Sequence, residues 1–102
     1  MFYYTLQVGL TTADQKKIPQ RKGVKIASKI ISEYIADYTI SKCVGFWKLT
    51  REKSLKIEIL HDNDIDFIID NIVRRLNNDL QQNCIMLSKH ISNTQFILRE
   101  LN

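Results

Sequence analysis

Proline occurs once in this 102-residue chain, glycine three times and cysteine twice. So few turn formers, set among ordinary apolar and charged fractions, exclude a disordered or low-complexity chain. One domain with one modest core, residues 1–102, fits the length. Cys43 and Cys84 lie far apart and neither belongs to a C-x-x-C pair, which points to two reduced thiols rather than a disulfide or metal pair. No apolar run is long enough to span a bilayer. The opening M-F-Y-Y-T-L-Q-V-G-L has neither a positive n-region nor a small-residue cleavage site, so no membrane association and a cytoplasmic location are expected.

Reaction signatures are missing too. There is no G-x-S-x-G, phosphate loop or H-E-x-x-H. His61 and His90 stand alone, without a second ligand at metal spacing. The run D-N-D-I-D (62–66) lacks the glycine and distal glutamate of a calcium loop and reads as a helix cap. No catalytic residue, metal site or cofactor is assigned, and the chain is expected not to be an enzyme.

What is present is periodicity. Tyr38–His61 reads as a β-hairpin, two β-branched and aromatic flanks around the polar T-R-E-K (50–53). Leu55, Ile57 and Ile59 alternate with polar residues. Phe2–Leu10 alternates likewise, placing Tyr4, Leu6, Val8 and Leu10 on one face. Gly9, on the other face, suggests close approach of a neighbour or a bulge. Thr11–Gly23 reads as a long polar connection, with Gly23 breaking any helix begun earlier. Val24–Tyr38 and about Ile65–Leu80 carry helical apolar stripes. Asn83–Ser92 reads as a fourth strand, and Gln95–Leu101 as a short fifth strand or an edge-covering tail.

The order β-α-β-β-α-β predicts a ferredoxin-like α+β fold, a four-stranded antiparallel sheet with both helices on one face. Tyr4, Leu6, Val8, Ile40, Val44, Phe46, Leu55, Ile57, Ile59, Ile85 and Leu87 would form the covered side. The open side would show Tyr3, Trp47 and His90 among polar residues. Tyr3, Trp47, Leu49, Met86 and His90 are therefore candidates for partner binding, a homodimer through the sheet face included. The net charge is +4 and uneven, +6 over residues 1–53 against −2 over 54–102. Lys16, Lys17, Arg21, Lys22, Lys25 and Lys29 form the densest basic run and a candidate polyanion site.

The opening Y-T-L-Q-V-G-L (Tyr4, Thr5, Leu6, Val8, Gly9, Leu10), the strand around Gly45 and the strand S-L-K-I-E-I-L resemble a family of small bacterial and phage proteins, a domain of unknown function. The F-W directly after Gly45 departs from that family's pattern. The resemblance implies a compact α+β domain from a phage or other mobile element and supplies no catalytic residue. The resulting expectation is a non-enzymatic accessory protein that inhibits a host defence or regulatory factor, in the manner of an anti-CRISPR protein, by occupying a surface on a host protein or protein–nucleic acid complex. If phage-encoded, it would act in the host cytoplasm. One alternative is a nucleic-acid or nucleotide-binding module gripping its ligand with the basic run, Tyr3 and Trp47. Another is a small dimeric α+β barrel enzyme, whose pocket would need His90 or Cys43.

Overall fold

Alternation becomes a sheet because each strand has one apolar face to bury. A computed structural model describes residues 1–94. Its elements are β1 (Phe2–Gly9), α1 (Gln20–Ser32), β2 (Thr39–Trp47), β3 (Thr50–His61), α2 (Asp66–Asp79) and β4 (Met86–Ile91). The strands form one sheet in the order β2-β3-β1-β4, and every neighbouring pair is antiparallel. This is the ferredoxin-like arrangement expected. The tail that suggested a fifth strand lies outside the described residues.

Register decides which side chains meet. Tyr4, Leu6 and Val8 stand opposite Ile59, Ile57 and Leu55, and all six are buried. Ala27, Ile30 and Ile31 of α1 and Ile69, Ile72 and Leu76 of α2 close over them in one core. Each fully buried aliphatic side chain contributes about 1.5–3 kcal/mol of transfer free energy. The same core draws in both helices, so they cover one face, and no described helix covers the other. Among the described residues no helix is long and apolar enough to cross a membrane.

Three boundaries differ from expectation. The hairpin turn is not T-R-E-K but Lys48–Leu49, because Trp47 pairs with Thr50. Both turn residues have positive φ, 48° and 68°, the requirement of a type I′ turn normally met by Asn-Gly. T-R-E-K is polar because this end of the hairpin lies beyond the core, not because the chain reverses there. Helix α1 begins at Gln20 and ends at Ser32, and Gly23 sits inside it. A Cβ at Gly23 would stand 2.8 Å from Leu10 Cδ2, so glycine lets the helix approach β1 closely and does not end it. Strand β4 starts at Met86 rather than Asn83.

Val44 and Phe46 share the helix-facing side, as expected, yet are 42% and 69% exposed. The cause is length. Twelve residues of β3 span ~40 Å, whereas thirteen of α1 span ~20 Å. Gln20 marks where cover stops, its Nε2 donating to the carbonyls of Cys43 (3.0 Å) and Ser54 (3.3 Å). Residues 44–53 project past that point. Lys42, on the outer strand β2, also lies on the helix-facing side and is exposed.

The opposite end of the sheet is tied by a polar cluster. Tyr4, 1% exposed, donates its hydroxyl to Asp66 (3.0 Å) and accepts the Ile65 backbone N–H (3.0 Å) at the start of α2. Lys89 of β4 bridges Asp64 (2.7 Å) and Asp66 (2.9 Å). Its hydrogen bond holds the Asp64 carboxyl below the usual range, and the two aspartates raise the Lys89 ammonium.

Candidate functional site

Side-chain alternation places Gln7, Gly9, Trp47, Thr50, Glu52 and Met86 on the open face of the sheet, toward the end where the hairpin projects. There they line a groove of about 550 Å³. Gln7 and Gly9 of β1 form its floor. The hairpin, with Trp47 and residues 50–52, stands on one side. Residues 82–86, leading into β4, stand on the other. Residues 11–17 close the end.

Hydrogen bonds to backbone carbonyls hold these walls. Leu10 N–H donates to the Lys53 carbonyl (2.9 Å), extending the β1–β3 ladder by a step. Thr11 pairs with Lys17, which folds the connection back on itself. Ala13 N–H donates to the Gln81 carbonyl (2.8 Å), and Gln82 Nε2 to that of Thr11 (3.1 Å), joining the two loops at the rim. The long polar connection is thus tied to the sheet and to the loop before β4 by hydrogen bonds.

Glu52 is the one carboxylate lining the groove among the described residues. The Thr11 backbone N–H donates to its Oε2 (3.1 Å). Its carboxylate lies flat over Gly9, where a Cβ would fall 2.2 Å from Oε1 and 2.7 Å from Cδ. Glycine on the wet face of β1 therefore makes room for a carboxylate, the close approach that its position suggested. Gly45 leaves a second gap, on which the Gln7 amide and the Trp47 indole nitrogen converge. Trp47 is 45% exposed, half buried by its surroundings and half open to the groove.

The five residues considered for partner binding separate. Trp47 and Met86 line the groove. Tyr3 and His90 are paired across β1 and β4 near the other end of the strands, their ring centroids 6.5 Å apart, and Tyr3 donates its hydroxyl to Glu58. Four residue steps along β1, ~13 Å, separate Tyr3 from Gln7. Leu49 is at the hairpin tip, 98% exposed and outside the groove. The basic run separates as well. Lys17 reaches the groove, Lys16 pairs with Asp14 (3.6 Å), and Arg21, Lys22, Lys25 and Lys29 are exposed along α1. Burial pushes the Cys43 thiol up, which makes it a poor nucleophile. Cys84 is exposed and unpaired at the rim. Gln7, Glu52 and Gln82 were not singled out from sequence.

No family model matches the chain, and no curated protein matches it in sequence. Solved structures do share its fold. A phage SAM lyase in complex with S-methyl-5′-thioadenosine superposes with a TM-score of 0.62 and 19% identity, over 87% of this chain and 79% of the other. The same phage enzyme without ligand gives 0.64 and 20%, over 87% and 78%. A DUF3240 family protein from Shewanella baltica gives 0.61 and 11%, over 96% and 97%.

At these identities the likeness establishes the fold. It upholds the broad resemblance to small bacterial and phage domains, while the Y-T-L-x-V-G-L motif finds no match. It also corrects the functional expectation. The non-enzymatic inhibitor of a host defence factor is set aside, because the structures similar to this chain include an enzyme, the phage lyase. The absence of a catalytic motif therefore does not exclude catalysis in a domain of this size and architecture.

Proposed function

We propose that the chain is a small enzyme whose groove takes an S-adenosyl sulfonium compound and breaks one of its carbon–sulfur bonds. The observation that carries this reading is the groove itself, with the lone indole on its wall and a carboxylate beside it, in a fold shared with a lyase bound to an adenosine thioether. Its volume of about 550 Å³ falls within the roughly 300–1,000 Å³ of small-molecule sites. Trp47 offers an apolar plane against which an adenine can stack. Gln7, Gln82 and Asn83 supply amide donors and acceptors around it.

Sulfonium chemistry explains the lack of catalytic motifs. A positively charged sulfur leaves with the bonding pair as a neutral thioether, and no acid has to protonate it. When the ligand's own carboxylate attacks its γ-carbon, a carbon–oxygen bond forms and the carbon–sulfur bond breaks. S-adenosylmethionine then gives a lactone and S-methyl-5′-thioadenosine, with no proton or water exchanged. Such a step asks the protein to fold the ligand into an attacking geometry, not to supply an acid–base pair. No histidine lines the groove among the described residues.

The test is incubation of the protein with S-adenosylmethionine, with chromatographic detection of S-methyl-5′-thioadenosine. The expected result is thioether formation that Trp47→Ala reduces by about tenfold or more, the range of a lost base-stacking contact. No product, together with no change in Trp47 fluorescence on adding the nucleoside, refutes the reading.

A further inference from the structure

Resting on that reading, we infer that Glu52 senses the charge on sulfur, so that the groove holds the sulfonium substrate and lets the neutral thioether go. The carboxylate is placed, not merely present. Thr11 N–H fixes one oxygen, and the bare Gly9 floor seats the other. Neither Lys nor Arg among the described residues lies within ion-pair distance of it. Lys17 and Arg51 line the same groove but neither pairs with Glu52, so they weaken its field without neutralising it.

A ligand that fills the groove strips water from this carboxylate. With a neutral ligand that desolvation is uncompensated, whereas a positive sulfur replaces the lost hydration. The Trp47 indole favours a cation on the same wall. Cleavage then destroys the charge being sensed, because the bonding pair returns to sulfur. Glu52 therefore stabilises the bound substrate more than a transition state whose positive charge is fading. It lowers KM rather than raising kcat, and its attraction vanishes with the product.

The test measures Trp47 fluorescence on adding S-adenosylmethionine, S-adenosylhomocysteine or S-methyl-5′-thioadenosine to the full chain, with initial rates for the first. Wild-type protein is expected to bind the sulfonium about tenfold or more tighter than S-adenosylhomocysteine, the effect of one nearby opposite charge. Glu52→Gln, which keeps an acceptor for Thr11 N–H, is expected to bring the two within about threefold, with the sulfonium bound more weakly, neither thioether bound more weakly than by wild type, and KM moved more than kcat. Equal wild-type affinity for charged and neutral ligands overturns the inference alone. So does a preference that survives Glu52→Gln, or a loss shared equally by S-adenosylmethionine and S-adenosylhomocysteine, which places the carboxylate on their common ammonium group. Binding of none of the three overturns the proposed function and this inference with it.

Discussion

Replacing Lys48–Leu49 with Asn-Gly, by Lys48→Asn and Leu49→Gly, is expected to stabilise the protein. Both positions have positive φ, and an ordinary L-residue there is disfavoured by about 1–2 kcal/mol. Leu49 is 98% exposed, so its removal forfeits almost no packing. Against the gain stands the freedom of glycine in the unfolded chain, about 0.5–1 kcal/mol. The balance is a net stabilisation of about 1–2 kcal/mol, or a rise in Tm of about 5–10 °C for a domain of this size. Urea unfolding followed by Trp47 fluorescence measures it. A midpoint raised at constant m-value is the expected result. An unchanged or lowered midpoint would refute the claim that this turn is strained. Trp47 still pairs with Thr50 in either variant, so the groove should be unaffected.

Tyr4→Phe should cost about 1–3 kcal/mol in the same assay, because it orphans the buried Ile65 N–H at the head of α2. Gly9→Ala should cost about 1–2 kcal/mol, since the new Cβ lifts Glu52 off Thr11 N–H. It should also weaken binding of S-adenosylmethionine, and wild-type behaviour in both respects would show the carboxylate is not seated there. Asp64 has a depressed folded pKa, so its contribution is present above the ordinary value of 3.8 and is lost as pH falls through the folded value. Tm recorded from pH 5 down to 2 should therefore fall less steeply in Lys89→Met than in wild type, and an identical slope would remove Lys89 as the cause.

Much of this architecture could be read from residue order, for a physical reason. Burial on one side imposes a period of two on Tyr4, Leu6 and Val8, and of about 3.6 on Ile65, Ile69, Ile72 and Leu76. These signals are local. The turn is not legible in the sequence because Lys48 and Leu49 carry no turn signature and the strand pairing on either side forces them into one. The exposure of Val44 and Phe46 was hidden because alternation reports the side of a sheet, not how far the helices extend along it. The groove was least legible. Gln7, Glu52 and Gln82 each resemble ordinary surface polar residues, and only the β1–β3 register brings Glu52 over Gly9. The usable signal was glycine on the wet face of two strands, at Gly9 and Gly45, since a missing side chain there leaves room for something else.

An outer strand nine residues long, without proline, invites a second chain to add to the sheet. Lys42 answers that hazard from the helix-facing side of β2. Stacking sheet against sheet would trap its ammonium between apolar layers, and a strand joining edge to edge would carry it toward the newcomer's own core side. An inward-pointing charge is one of the devices that discourage edge-to-edge pairing, and Lys42 supplies one in the midst of an otherwise apolar stripe.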